Sequence, residues 1–472
     1  MATHPGAGHR RPLVPTSPAP ESWAPAVRLA RGLWAPVERF LSIQAASGIL
    51  LLVTSVVALV WASSPWAASY EALWHTELGL RVGAWRFERD LHFVVNDVLM
   101  AVFFFVVGLE IRREIHRGEL SEPARAALPV AAALGGMIAP AAIYFALNHA
   151  LSTQRGWGVP MATDIAFAVG VLTLLGRRVP PALRILLLAL AVVDDLGAIL
   201  VIAIFYSSGI VWAGLVLAAV GIVLILALQK LGVRSPWAYV APAMLTWAGV
   251  YGAGIHPTLA GVVIGLFTPV RAWLGPEQFQ KELELRARAL AAAPDEPTLL
   301  AHLEGLHRAR REAVSPVDRL IHAFHPWVAF VIMPIFALAN AGVPLAGATF
   351  EGAQLREALG IGLGLAIGKP LGIVLVPLVA AKLGLVRLPK GVGAKELLVV
   401  GAAGGIGFTM ALFIAELAFD DPASLEVAKM AVLAGSLVSA LASLALGRIV
   451  LRAPSAQVGA RTESEAESST EA

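Results

Sequence analysis

Long apolar runs recur along this chain, and they decide its fold class before any motif is read. A stretch of about 17–25 mostly apolar residues crosses a bilayer as a helix, whereas shorter runs of about 10–14 suit a buried core helix. Allowing a few short ones, about 12 runs qualify on that criterion, centred near Leu51, Val102, Leu134, Phe167, Leu190, Leu217, Met244, Gly261, Val331, Leu371, Gly407 and Leu437. Membrane strands would need closed-barrel partners and strict alternation, which these runs lack, so each reads as a helix. Only 15% of the 472 residues are charged, against about 25% in an ordinary soluble domain. The expected fold is an all-α polytopic membrane protein with about 12 transmembrane helices. No cysteine is present, which excludes disulfides, thiolate catalysis, zinc ribbons and iron–sulfur ligation. No cofactor is expected, and a dispersed formal charge of +3 makes no case for a nucleic-acid partner.

Lysine and arginine in the short loops set the orientation. With both termini inside, the cytoplasmic loops hold thirteen: Arg112, Arg113, Arg117, Arg125, Arg177, Arg178, Arg184, Lys230, Arg234, Lys382, Arg387, Lys390 and Lys395. Past the first external segment, the opposite loops hold three: Arg155, Arg356 and Lys429. Residues 1–38, rich in Pro, Ala and Arg, read as a disordered cytoplasmic tail rather than a signal peptide, because they lack an apolar core with a cleavage site. Residues 453–472 have almost no large apolar side chains and read as a second tail. Between the tails, 39–452 forms one membrane domain. A charged cytoplasmic insert, 271–316, reads as a solvated linker with a surface helix over Pro276–Ala293. Within an external segment, 72–90, residues Glu77–Glu88 alternate about Val82-Gly83 as a β-hairpin. An isolated hairpin is marginal in water, so it is expected to pair, as with the same hairpin of a second subunit.

Two short hydrophobic segments are interrupted, one at Thr163-Asp164 and one at Gly404-Gly405-Ile406-Gly407. Each is flanked by a fuller helix on either side, giving two three-helix units at roughly 125–206 and 359–450. An odd number of crossings separates related helices, so the units read as inverted repeats, and interruptions at matching places point to a transporter binding site.

Four ionisable residues fall at membrane depth: Asp164, Asp194, Asp195 and Lys369. Asp194 and Asp195 lie inside the apolar run Ile185–Tyr206, where each ionised carboxylate costs roughly 2.5–3.5 kcal/mol even on the lenient insertion scale. The most economical cargo for such acids is a cation or a proton. Successive helix residues are about 100° apart, so the two aspartates point differently: one suits the cation path and the other a partner such as Lys369. A bland alternative is two structural ion pairs sealing the bundle, yet fixed pairs are replaceable by apolar packing at little cost. The break at Thr163-Asp164 leaves free N–H groups at one half-helix end and free C=O groups at the other. Asp164 is expected to offset the first and Lys369 the second. Glycines 401, 404, 405 and 407 would let the other interrupted helix cross close by.

Other apparent motifs are decoys. Gly368-Lys369-Pro370 lacks the glycine a phosphate loop requires, having Leu363 there, and Pro370 replaces its Ser or Thr. His322 and His325 have a spacing compatible with a metal pair but read better as interfacial, near a cytoplasmic helix end. His256 reads as structural at an external helix start, with the capacity to titrate near neutral pH.

The segments Ala162-Thr163-Asp164-Ile165-Ala166-Phe167-Ala168, Ala191-Val192-Val193-Asp194-Asp195-Leu196-Gly197-Ala198-Ile199, Gly368-Lys369-Pro370 and Gly405-Ile406-Gly407-Phe408-Thr409-Met410 closely resemble signature segments of the bacterial NhaA sodium/proton antiporters. Asn96-Asp97, Val107-Gly108-Leu109-Glu110, His256-Pro257-Thr258-Leu259-Ala260-Gly261 and His325-Pro326-Trp327 extend the resemblance over about residues 40–450. It implies electrogenic exchange of external protons for cytoplasmic Na⁺ or Li⁺ across a bacterial inner membrane, by a transporter rather than an enzyme. It implies that Asp194 and Asp195 bind the cation and the protons, supported by Asp164, Thr163 and Lys369. Glu110, Arg113 and Glu114 match a cytoplasmic funnel cluster linked to pH control, and the external hairpin matches a homodimer contact; His256, His322 and His325 are further candidates for pH control, outside that match. Two departures are the absence of an acid at Ile321 and the length of the 271–316 insert. The rival classes are a cation channel, which would conduct without a pH gradient, and an intramembrane aspartyl protease, whose Gly-x-Gly-Asp motif is missing.

Overall fold

The computed structural model of the protein describes residues 46–82, 85–149, 152–207, 209–291, 295–344, 351–389 and 391–451. The expected tails at 1–38 and 453–472, and Gly83 of the hairpin turn, lie outside the described residues. Within them the chain is helical apart from one hairpin. Helices α1 (Ala46–Ala62) and α2 (Ala67–Trp74) lead to strands β1 (Glu77–Val82) and β2 (Trp85–Asp90). The strands pair antiparallel from Glu77↔Asp90 to Val82↔Trp85, two residues beyond the expected end. Asp90 then caps the next helix, accepting from Phe93 N at 2.9 Å.

That helix is α3 (Leu91–Arg117), followed by α4 (Pro123–Asn148), a 3₁₀ segment (Ser152–Met161), α5 (Ile165–Leu174), α6 (Pro181–Phe205), α7 (Trp212–Lys230), α8 (Val240–Gly252) and α9 (Thr258–Phe267). The remainder is α10 (Pro276–Ala291), α11 (Glu296–Ala313), α12 (Pro316–Asn340), α13 (Gly352–Lys382), α14 (Ala394–Gly404), α15 (Phe408–Ala418) and α16 (Pro422–Val450). Seven of these, α3, α4, α6, α7, α12, α13 and α16, are individually long and apolar enough to cross a membrane. Three bent pairs raise the count to ten: α1 with α2 at 115°, the 3₁₀ segment with α5 at 45°, and α14 with α15 at 54°. This is a multi-pass membrane protein. The runs centred at Met244 and Gly261 became α8 and α9, only 13 and 10 residues long. Gly254 at φ +78° and Pro257, whose ring suits a helix start and not a helix interior, separate them.

The insert is more ordered than a linker. The expected surface helix is α10, and a second helix, α11, follows it, begun by Asp295 accepting from Thr298 N at 3.0 Å. Arg234 fastens the insert to the bundle, pairing with Glu312 and lying 4.5 Å from the Trp273 ring centre. The molecule therefore has a hairpin end and an insert end.

Several helix pairs touch backbone to backbone, among them two on helices that carry candidate site residues. A Cβ added at Gly108 of α3 would lie 2.6 Å from Val262 O, and one at Gly265 of α9 would lie 2.6 Å from Phe105 O. Across α4 and α13, Gly135 and Gly372 meet each other's carbonyls in the same way. Such contacts leave no room for a side chain on either partner.

Candidate transport site

Both interrupted segments break at mid-bundle, and their breaks meet. Asp164 N donates to Ile406 O at 2.7 Å, joining one break to the other. The 3₁₀ segment ends at Met161 and α5 starts at Ile165, while α14 ends at Gly404 and α15 starts at Phe408. Each break thus exposes C=O groups at one half-helix end and N–H groups at the other.

Asp164 serves the N–H ends of both half-helices. Its Oδ1 accepts from Phe167 N at 3.0 Å, capping α5. Its Oδ2 accepts from Thr409 N at 3.3 Å and from the Thr409 hydroxyl, capping α15. An anion at two helix N-termini is favoured by both dipoles. Phe408 stands at the α15 break with φ +23°, a conformation that costs a bulky residue energy, and its N–H is satisfied by Ser436 Oγ at 3.0 Å.

Lys369 serves the carbonyl side and also holds an aspartate. It is fully buried, donates to Met161 O, and lies 2.6 Å from Asp194 Oδ2. The Thr163 hydroxyl lies 2.6 Å from the same Asp194 oxygen and 2.9 Å from Gly404 O. With one proton to donate, Thr163 serves one of these acceptors at a time. Asp194 Oδ1 has no partner among the described residues. Asp195, one residue on and 3% exposed, makes no hydrogen bond or ion pair among the described residues. The charged groups within electrostatic reach of it are Asp194, Glu110 of α3, Lys369 and Asp164.

The structure divides the other candidates. Glu110, Arg113 and Glu114 are neighbours on the last turns of α3, with Glu114 Oε2 accepting from Glu119 N at 3.0 Å. His325 lies beside Arg113 and His322 at that insert end. His256 is at the other end, 3.7 Å from Asp97 and packed edge-on to Phe413. Asp97 and Glu110 are thirteen positions apart on one helix, about 20 Å of rise. His256 therefore shares no cluster with them.

Sequence reasoning missed Thr409 and Ser436, which complete the caps from 245 and 28 residues away. Only the polar residues at a break hinted at them. Half-helices meeting over buried carboxylates inside an apolar bundle are the architecture of an ion-coupled membrane transporter. The family model for Na⁺/H⁺ antiporter 1 matches residues 38–446, so the chain belongs to that family. It is 59% identical to the Na⁺/H⁺ antiporter NhaA 2 of Myxococcus xanthus, over 96% of this chain and 97% of that protein. The antiporter of the same name from Sorangium cellulosum is 58% identical over 96% of this chain and 98% of its own length. A third, from Pseudomonas putida strain F1, is 50% identical over 90% and 96% respectively.

Proposed function

We propose that this protein exchanges cytoplasmic Na⁺ or Li⁺ for external protons, with both cargoes using Asp194 and Asp195. The observation that carries the reading is the unequal treatment of adjacent acids. Asp194 is tethered by Lys369 at 2.6 Å, and Asp195 is buried with no partner among the described residues. A carboxylate that a cation or a proton must neutralise is suited to carry either, and the two then compete for the same oxygens. Asp164, Thr163 and Lys369 hold the break in shape. Glu110, Arg113 and Glu114, with the nearby His322 and His325, are placed to set pH dependence from the insert end, and His256 to do so from the hairpin end.

In this reading the 39–452 domain crosses a bacterial inner membrane about 12 times, counting α8 and α9 as short spans. The termini and the insert are cytoplasmic, as the positive loops require. Units 125–206 and 359–450 are inverted repeats, which the two matching breaks support. The hairpin joins a second subunit, and lipid surrounds the apolar exterior. Exchange of two protons for each Na⁺ would move one net charge inward, worth about 2.3 kcal/mol per 100 mV.

Proteoliposomes with an imposed pH gradient test this. Na⁺ or Li⁺ added to the parent should collapse the gradient, and K⁺ should not. Asp195→Asn should abolish the response while the protein remains folded. Substantial exchange by that variant defeats the assignment, and Na⁺ conduction indifferent to a pH gradient would favour a channel.

A further inference from the structure

A fifth ionisable group is buried in the bundle, outside the site just described. Glu357 lies in the second turn of α13 at the hairpin end, with no exposed surface. It shares one buried face of that helix with Gly360, Ile361, Gly364, Leu365, Gly368 and Lys369. The 3,1,3,1 spacing keeps this face turned toward α4, where a Cβ on Gly360 would meet Tyr144 and Asn148 at 2.7 Å.

The polar side chains Tyr144, Thr153 and Asn148 beside this face are committed to one another and to backbone carbonyls. The Tyr144 hydroxyl donates to Thr153 O at 2.6 Å, and the Thr153 hydroxyl donates to Asn148 Oδ1 at 3.0 Å. Asn148 Nδ2 donates to Tyr144 O and Arg356 O, each at 3.1 Å. Both Glu357 oxygens are left without a hydrogen-bond partner among the described residues.

Among the described residues no cation pairs with it. From α16 the charged group that faces Glu357 is another acid, Asp421, whose carboxylate is engaged in capping Ser424 N at 3.0 Å. Lys429 of that helix pairs with Glu416 at 2.5 Å. From the 3₁₀ segment, Arg155 pairs with Asp420 at 3.5 Å, both largely exposed. At this end of α4 the titratable group is Tyr144, while Arg356 next door is exposed. An ionised carboxylate with neither donor nor counter-ion is the most costly state a buried side chain can take.

We propose that Glu357 is a second protonatable site of this transporter, holding a proton while the hairpin end of α13 is closed and exchanging it with hairpin-side water when that end opens. The step is simple: the carboxyl O–H breaks, the proton passes to water, and the carboxylate is hydrated. On closing, the reverse occurs. The proton occupancy stands on geometry alone, and its coupling to transport rests on the exchange reading above. Opening at this end then releases one proton and closing takes one up, so hairpin-side pH biases the two arrangements independently of Asp194 and Asp195.

Infrared spectra of the purified full-length protein at neutral pH, parent minus Glu357→Gln, read the site directly. The parent should show the C=O stretch of one protonated carboxyl, sensitive to D₂O, that the variant lacks. Replacing choline chloride with NaCl should leave the band in place. Absence of the band overturns the proposal, and its loss on adding Na⁺ overturns it in favour of a cation site. Because no partner is lost, Glu357→Gln should melt close to the parent. Should Gln fail to assemble, Glu357→Met fills the same volume and gives the same subtraction. In proteoliposomes the variant should keep Na⁺-dependent proton flux while its dependence on hairpin-side pH becomes shallower than the parent's, by up to about tenfold per pH unit for the one titrating group removed. An unchanged pH dependence refutes the coupling. A parent without Na⁺-dependent flux refutes the exchange reading instead and leaves the infrared result standing.

Discussion

Removing both charges of the Lys369–Asp194 pair should destabilise the protein by clearly less than the two single removals added together. Both side chains are at most 1% exposed and their charged atoms are 2.6 Å apart. Lys369→Met keeps the volume but leaves the Asp194 carboxylate buried with only the shared Thr163 hydroxyl, and leaves Met161 O without its donor. Breaking a buried pair from one side costs about 3–5 kcal/mol, because the surviving charge loses its compensation. The freed carbonyl adds about 1 kcal/mol. Asp194→Asn strands the ammonium and should cost a similar amount. In the double variant neither charge remains, so the cost should fall below the sum of the singles by about 2–3 kcal/mol, the upper range for directly coupled residues. Reversible unfolding in mixed micelles, with all four proteins compared, gives this coupling energy. Additivity to within about 0.5 kcal/mol would show that the two charges do not act on one another, and the assignment of Lys369 as the partner of Asp194 would fall. Ion exchange by the double variant is a separate readout, expected to be lost.

Two further outcomes follow from the site. Asp164→Ala removes caps from α5 and α15 together, so it should cost about 1–4 kcal/mol, twice the range for one cap, whereas Thr409→Val, which touches one cap only, should cost about half of that; equal melting temperatures for both variants and the parent would contradict the double-cap role. Half-saturating Na⁺ should rise up to about tenfold for each unit that cytoplasmic pH falls below the pKa of the competing site, equivalent to about 1.4 kcal/mol per unit, and Glu114→Gln should displace this curve without flattening it; a pH-independent half-saturation with only the maximal rate changing would favour a separate conformational sensor.

What the sequence disclosed was whatever hydrocarbon makes conspicuous. Asp194, Asp195 and Lys369 stand out because charge inside a long apolar run is rare and costly. The two breaks showed as Thr163-Asp164 and as clustered glycines. What stayed hidden depended on distant partners. Asp164 was legible as a cap for its own half-helix, but its service to α15 comes through Thr409, 245 residues on. Glu357 was overlooked because Gln354-Leu355-Arg356-Glu357 reads as a polar helix start, and only packing against Tyr144 and Asn148 reveals its burial. The second insert helix carried a usable signal, Asp295 before Glu296-Pro297, which charge-rich composition obscured. His322 and His325 at one end and His256 at the other were legible from the loops they border, but their neighbours Arg113, Asp97 and Phe413 were not.

The glycine contacts bear on where the molecule can shear. Where Gly108 and Gly265 join α3 to α9, and Gly135 and Gly372 join α4 to α13, backbone rests on backbone with no side chain between to change rotamer or slide. Each pair is therefore a stiff beam, and deformation must be taken up elsewhere. Between α3, which carries Glu110, and α6, which carries Asp195, there is no such weld among the described residues. A cation-driven rearrangement would run along that seam, so the unpaired carboxylate lies on the fault line between the beams rather than inside either one.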